Sequence, residues 1–200
     1  MQLHQRQRPN ILVLNASRLG AQGNTHLLLS HAAAHLKRMA RINVLSLADH
    51  DAAVVLEEIK KCDGLLIGTG THWDSWSSTL QTFLEAATPT EGSSVWLGKP
   101  VGIIVTEHSV GGKGVLSRLQ GVFATFGCLI PPMSGMVYSL AAQNSISAQK
   151  PGADDMWCLN DIKILTHNLV QGARFPIRWK AWPVDRNDFE NVWIRTEASI

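Results

Sequence analysis

The residues best suited to chemistry lie in a short polar segment, residues 17–25, between an apolar run and a helical pattern that begins at Leu27. The first turn of a helix has backbone N–H groups without intrahelical partners, and the helix dipole adds partial positive charge there. Such a position suits a phosphate. The candidate binding residues are Ser17, Arg18, Gly23, Asn24 and Thr25. An ordinary polar loop, with Asn24 as the helix N-cap, explains the same residues.

A second segment, residues 68–76, combines glycines with flat and polar side chains. Gly70 lets a ligand approach the backbone closely. The flat side chains, which suit stacking on an aromatic ring system, are His72, Trp73 and Trp76. The polar side chains, which suit the ring edges, are Thr71, Asp74 and Ser75. The alternative for each tryptophan is burial beneath its own loop.

A third segment, residues 106–113, again has a glycine pair and small donors. Its candidate binding residues are Thr106, Ser109, Gly111 and Gly112. One loop for phosphate, one for stacking and one for edge contacts would together form a mononucleotide site. No spacing of His, Cys, Asp or Glu supports a metal site, and no residue is assigned a catalytic role.

Five apolar runs alternate with helical patterns along the chain. The strands are predicted at residues 10–15, 42–47, 65–67, 101–105 and 128–130. The helices are predicted at residues 24–39 and 51–61, from Ser78 in a Ser-x-x-Gln capping box, between Gly114 and Gly127, and at residues 155–171. This alternation favours an α/β fold, a doubly wound five-stranded parallel sheet in the flavodoxin-like order 2-1-3-4-5. The three polar segments then share the carboxyl edge of that sheet.

The composition narrows the function classes further. The 200 residues carry a formal net charge of +2, which does not call for a nucleic-acid or membrane partner. No apolar run reaches membrane-spanning length. The three cysteines form no C-x-x-C pair and are expected to be buried thiols in a reducing cytoplasm. The first loop lacks the G-x-G-x-x-G of a Rossmann dinucleotide site.

Both ends of the chain differ from this pattern. Residues 1–9 are expected to form a disordered lead, because they are polar and lack the apolar core of a signal peptide. Residues 10–172 form the predicted domain. Residues 173–200 form an aromatic-rich extension whose large side chains require cover, on the same domain or on a partner subunit. Those side chains are Phe175, Trp179, Trp182, Phe189 and Trp193.

Three separated segments resemble the NAD(P)H-dependent FMN reductases, a flavodoxin-like family. Residues 15–18 (NASR) with residues 23–25 (GNT) are similar to its phosphate loop, G-S-x-R followed by G-N-T. Residues 63–75 (DGLLIGTGTHWDS) resemble its D-G-I-I-x-G-T-P-V-Y-W-G-S, and residues 98–100 its G-K-P. The departures are Gly70, His72 and Asp74, where the family has Pro, Tyr and Gly.

The resemblance implies an FMN-dependent oxidoreductase. It implies hydride transfer from NADPH or NADH to FMN, then electron transfer to a small acceptor such as a quinone, flavin, azo or nitro compound, or metal oxyanion. It also implies a homodimer or homotetramer. Two other interpretations stay open: a flavodoxin-type electron carrier, and a flavin-free scaffold that works through protein contacts.

Overall fold

The computed structural model describes residues 8–175 and 177–184 and contains one five-stranded parallel sheet. Its strands are β1 (Asn10–Asn15), β2 (Arg41–Ser46), β3 (Gly64–Gly70), β4 (Val101–Glu107) and β5 (Gly135–Ser139). Their spatial order is β2-β1-β3-β4-β5, and all four pairings are parallel. The flavodoxin-like order predicted from the sequence is therefore confirmed.

Helices cover both faces of this sheet. They are α1 (Asn24–Leu36), α2 (Ala52–Lys61), α3 (Ser78–Ala87), α4 (Gly112–Phe126), α5 (Leu140–Ser147) and α6 (Ile162–Ala173). The apolar sides of α2, α3 and α4 pack on one face, and those of α1 and α6 pack on the other. The central strands are continuous apolar runs because both of their faces are buried. In β1, Leu12 and Leu14 pack in one core, while Ile11 and Val13 pack in the other.

The fifth strand is not where the sequence predicted it. Residues 128–130 make only an isolated bridge, in which Leu129 N–H donates to the carbonyl of Lys99 at 2.9 Å. Pro131 and Pro132 follow at once, and proline cannot continue a hydrogen-bonded ladder. The chain then turns and enters β5 at Gly135, so residues 133–152, predicted as irregular, contain both β5 and α5.

Three predicted helix boundaries are also wrong. Helix α1 ends at Leu36 rather than at residue 39, because the chain tightens into a turn in which Met39 N–H donates to the Leu36 carbonyl. Helix α6 begins at Ile162 rather than at residue 155, since two 3-10 turns occupy Ala153–Asp155 and Leu159–Asp161. The N-cap of α3 is Ser77 rather than Ser78.

The described part of the C-terminal extension lies against its own domain. Trp179 covers Gly98, where a Cβ would lie 2.2 Å from the indole Cδ1. Trp179 and Trp182 line a cavity of about 270 Å³ with Leu97 and Leu129, near the amino-terminal end of β4. Two further aromatic residues of the predicted extension, Phe189 and Trp193, lie outside the described residues, as do residues 1–7 of the predicted lead.

Candidate functional site

A cavity of about 570 Å³ opens at the carboxyl edge of the sheet, where β1, β3, β4 and β5 end beside α1. Its lining residues that the sequence analysis predicted are Ser17, Arg18, Gly23, Asn24, Thr25, Gly70, Thr71, His72 and Thr106. All three predicted loops therefore contribute to one cavity. Parallel strands bring their carboxyl ends to the same edge, which is why segments so far apart in sequence meet here.

The buried side chain of Asn15 holds the backbone of the first loop through two hydrogen bonds. Its amide Nδ2 donates to the Gly20 carbonyl at 2.8 Å, and its Oδ1 accepts from the N–H of Ser17 at 3.0 Å. Gly23, in extended conformation, is the N-cap of α1, and no side chain caps the helix. Asn24 is thus the first helical residue and not the N-cap that the ordinary-loop interpretation gave it. The result is a helix N-terminus, lined by Gly23, Asn24 and Thr25, that faces the cavity without a side-chain acceptor of its own.

Helix α1 packs directly on the sheet at Gly68. A Cβ at Gly68 would lie 2.8 Å from Leu29 Cδ1 and 2.9 Å from Thr25 Cγ2, so only glycine permits this approach. The closeness brings the first and third loops together, because the hydroxyls of Thr25 and Thr106 are hydrogen-bonded at 2.8 Å. The backbone of Thr106 also accepts from the N–H of Thr71 at 2.8 Å. The three loops therefore form one hydrogen-bonded unit.

The second loop turns outward at its tip. His72 and Ser75 exchange backbone hydrogen bonds at 2.7 and 2.9 Å around the two-residue turn Trp73-Asp74. Both turn residues have positive φ (48° and 57°), as a type I′ turn requires. Trp73 is fully exposed, at 101% of its reference area. Trp73 and Asp74, both predicted to bind a cofactor, therefore lie outside the cavity wall.

Asp74 and the flat ring of Trp76 are engaged elsewhere. The carbonyl of Asp74 accepts from Arg118, and a Cβ at Gly111 would lie 2.2 Å from Asp74 Oδ1. The guanidinium of Arg118 lies 5.6 Å from the centre of the Trp76 ring, whose Nε1 donates to Gln81 at 2.8 Å. This hairpin is thus held against α4 rather than over the cavity.

The glycine pair of the third loop starts a helix instead of lining the cavity. Gly111, with φ 93°, is the N-cap of α4, and Gly112 N–H donates to Glu107 Oε2 at 2.5 Å. Ser109 faces a neighbouring cavity with Lys113. Of the predicted residues in this segment, only Thr106 lines the main cavity.

Several lining residues were not predicted from the sequence. They are Leu19, Leu27, Leu28, His31, Glu107, His108, Tyr138, Leu140 and Leu159. Tyr138 and Leu140 were missed because the fifth strand was placed too early in the chain. His31 lies one helical turn beyond Leu27 on α1, a spacing of i, i+4 that could have indicated a shared face.

The family comparison matches residues 9–142 to the model described as NADPH-dependent FMN reductase. That range includes every residue that lines the cavity except Leu159. The chain belongs to this family. No curated protein matches the sequence.

Solved structures share the fold at low sequence identity. One is RosB with a bound intermediate, 8-demethyl-8-formylriboflavin-5'-phosphate, at 18% identity and a TM-score of 0.68, covering 83% of this chain and 79% of that one. Another is an oxidoreductase from Corynebacterium diphtheriae, at 15% identity and a TM-score of 0.63, covering 84% and 98%. A third is the NADH:FMN oxidoreductase EMOB in its apo form, at 15% identity and a TM-score of 0.60, covering 83% and 89%.

The donor chemistry of the cavity fits FMN. The start of α1 offers unpaired N–H groups to a phosphate. Tyr138 and Leu140, at the end of β5, add a ring and an apolar side chain to the same lining. Thr71 Oγ1 lies buried in this wall without a hydrogen-bond partner among the described residues, so a hydroxyl is available to a bound polar group.

One arginine, three histidines and one carboxylate line the cavity. Arg18, His31, His72 and His108 line it, and Glu107 is the single acidic lining residue in the described ranges. The carboxylate of Glu107 is already bound to the backbone of Gly112. Across residues 8–175 and 177–184, no three His, Cys, Asp or Glu side chains gather as metal ligands, and no helix is long and apolar enough to span a membrane.

Proposed function

We propose that the chain is an FMN-dependent oxidoreductase that takes hydride from NADPH or NADH and passes electrons to a small acceptor. One observation carries this proposal. A single cavity combines an uncapped helix N-terminus with apolar and aromatic lining side chains, in a member of the FMN reductase family. These two features match the phosphate and the ring of one mononucleotide.

The residues of the first loop would hold the phosphate. Backbone N–H groups at Asn24 and Thr25 point from the start of α1, and Arg18 is exposed at the rim, where it can add a charge. Ser17 is buried, and its hydroxyl accepts from the N–H of Leu19 at 3.2 Å while it lines the cavity. This hydrogen bond within the loop helps to hold Ser17 in place.

The second and third loops would hold the ring. Gly70 leaves the backbone open to a flat ligand, and His72 Nε2 lies 3.3 Å from the position of a Cβ there, so the imidazole borders the same space. FMN, when bound, would supply the hydride acceptance and electron transfer, while the protein supplies binding, orientation and electrostatics. Accordingly, we assign no side chain as a general acid or base.

The visible spectrum of the purified protein tests this proposal. FMN added to the protein should bind and give a yellow complex, and anaerobic NADPH or NADH should bleach it. Riboflavin, which has the same ring without the phosphate, should bind much more weakly, because the α1 N-terminus would lose its ligand. Equal affinity for FMN and riboflavin would contradict the assignment of residues 17–25.

The same experiment separates the other two interpretations. A yellow complex that neither nucleotide bleaches would favour an electron carrier. A protein that binds no FMN would favour a scaffold without flavin. The near-neutral net charge of +2 argues against the carrier, since such proteins commonly dock through a strongly charged face.

A further inference from the structure

The side chain of Thr71 carries an oxygen that the protein itself leaves without a partner. Thr71 lines the cavity immediately after β3, and its Oγ1 is buried but makes no hydrogen bond within residues 8–175 and 177–184. A buried hydroxyl has given up its bonds to water and needs others to replace them. An unpaired hydroxyl in the wall of a cavity therefore indicates that its partner is a ligand.

The other serine and threonine hydroxyls of the cavity wall are already engaged. Ser17 accepts from a backbone N–H of its own loop at 3.2 Å, and the hydroxyls of Thr25 and Thr106 are bonded to each other at 2.8 Å. The hydroxyl of Thr106 also donates to the carbonyl of Thr69 at 3.4 Å. In the part of the chain that the structure describes, Thr71 is thus the one serine or threonine of this lining whose hydroxyl is unpaired.

The backbone of the second loop does not replace this hydroxyl as a donor. The N–H of Thr71 donates to the carbonyl of Thr106 at 2.8 Å, and the N–H of His72 donates to the carbonyl of Ser75 at 2.7 Å. The next two residues, Trp73-Asp74, form the turn that lies outside the cavity wall. Recognition of a ligand by residues 71–74 therefore depends on side chains.

Thr71 has a fixed backbone and a hydroxyl that can change direction. Its bond to Thr106 fixes the backbone, and its Cγ2 lies 3.3 Å from the position of a Cβ at Gly111. No bond holds the hydroxyl, so rotation about Cα–Cβ can move it between staggered positions. Gly70, next to it, lines the cavity without a side chain. A flat ligand that lies against Gly70 comes within reach of the Thr71 hydroxyl.

We infer that the Thr71 hydroxyl bonds the polar edge of the flavin ring and so orients the ring in the cavity. This inference rests on the proposed function, since it assigns a binding residue for the FMN of that reaction. One edge of the flavin ring carries carbonyl oxygens and nitrogens, whereas the opposite edge carries methyl groups. A hydroxyl both donates and accepts, so it suits that polar edge in the oxidised and in the reduced flavin. The family pattern D-G-I-I-x-G-T-P-V-Y-W-G-S has valine at this position, so the hydroxyl is a departure of this chain.

The variant T71V tests the inference, with T106V as the matched control. Valine keeps the branched shape of threonine without its hydroxyl. In the ligand-free protein, T71V should raise Tm by about 2–4 °C, because it removes a buried hydroxyl that has no partner. T106V should lower Tm by a similar amount, because the buried Thr25 loses its partner.

Flavin affinity should change in the opposite direction to stability in T71V. This variant should bind FMN about tenfold more weakly and riboflavin more weakly by the same factor, because the lost bond is to the ring and not to the phosphate. T71S, which keeps the hydroxyl, should bind both flavins within about threefold of the wild type. Titrations followed by flavin fluorescence give these affinities without turnover.

Four outcomes would overturn the inference. They are an unchanged or lower Tm in T71V, unchanged flavin affinity in T71V, a loss confined to FMN, and a T71S variant that binds as weakly as T71V. A wild-type protein that binds neither flavin would refute the proposed function together with the inference. Flavin binding that T71V leaves unchanged would refute the inference alone.

Discussion

Replacing Ser77 with alanine should destabilise the protein strongly, although this residue does not line the cavity. Ser77 is fully buried between β3 and α3. Its hydroxyl donates to the carbonyl of Ala16, at the base of the first loop, and accepts from the N–H of Leu80 at 3.1 Å. One oxygen thus caps α3 and anchors the loop that carries Ser17.

The expected cost follows from these two bonds. Loss of a serine N-cap costs about 1 kcal/mol. A buried carbonyl left without its donor costs about 1–3 kcal/mol more. For a domain of this size, a total of about 3 kcal/mol corresponds to a fall in Tm of about 6–12 °C. FMN affinity should fall as well, since the first loop loses an anchor.

Thermal and urea unfolding of S77A and S78A, followed by circular dichroism, measure this effect. Ser78 is exposed, and its Ser-x-x-Gln pattern made it the N-cap predicted from the sequence. S78A should change the free energy of unfolding by less than about 0.5 kcal/mol, as surface substitutions usually do. Similar losses in the two variants, or a larger loss in S78A, would refute the assignment of the cap and of the anchor.

Three further predictions concern two glycines and a buried cysteine. G68A should lose about 1–3 kcal/mol of stability in urea, because its Cβ would press on Leu29 and Thr25, while G121A should gain about 0.5–1 kcal/mol, because it lies in a helix with nothing within 4 Å. An unchanged G68A would mean that α1 does not pack so closely. Burial raises the pKa of the Cys128 thiol from about 9 to about 12. Above pH 9 the thiol ionises in the unfolded chain but stays protonated in the folded protein. The free energy of unfolding is therefore unaffected by this group below pH 9 and falls as the pH rises toward 12. C128A should show a shallower fall in its urea midpoint above pH 9, and an identical slope in both proteins would contradict this reasoning.

The sequence was most informative where a strand is buried on both faces. Runs such as residues 11–14 and 65–67 have to be apolar throughout, since each side of the strand meets a different core. Their order and the loops that follow them could therefore be predicted. Residues 17–25 were also recognisable, because a phosphate site needs small residues and donors at the start of a helix.

The fifth strand could not be located from the sequence. Residues 128–130 and Gly135–Ser139 are both short apolar runs next to turn residues, and neither has a periodicity that excludes the other. Only pairing with β4 decides between them, and that is a tertiary property. The misplacement removed Tyr138 and Leu140 from the predicted site.

The direction of the second loop was equally beyond the sequence. Trp73 and Asp74 have the residue types of a ring-binding loop, but their positive φ turns the tip away from the cavity. Two-residue turns of this type usually contain Asn and Gly, so the pair Trp73-Asp74 does not predict a type I′ turn. The contact of Arg118 with the Asp74 carbonyl, which holds the tip in place, joins residues distant in sequence.

The bond between Thr25 and Thr106 has a consequence for how the protein acquires its ligand. The walls of the cavity come from the ends of four strands that are far apart along the chain, so the segment that carries Thr25 supplies only part of the lining, and the rest is added when the other strands pair. Such non-local pairings form slowly during folding. A refolding chain should regain helical signal before it quenches flavin fluorescence, and flavin capture should report the closing of the whole sheet.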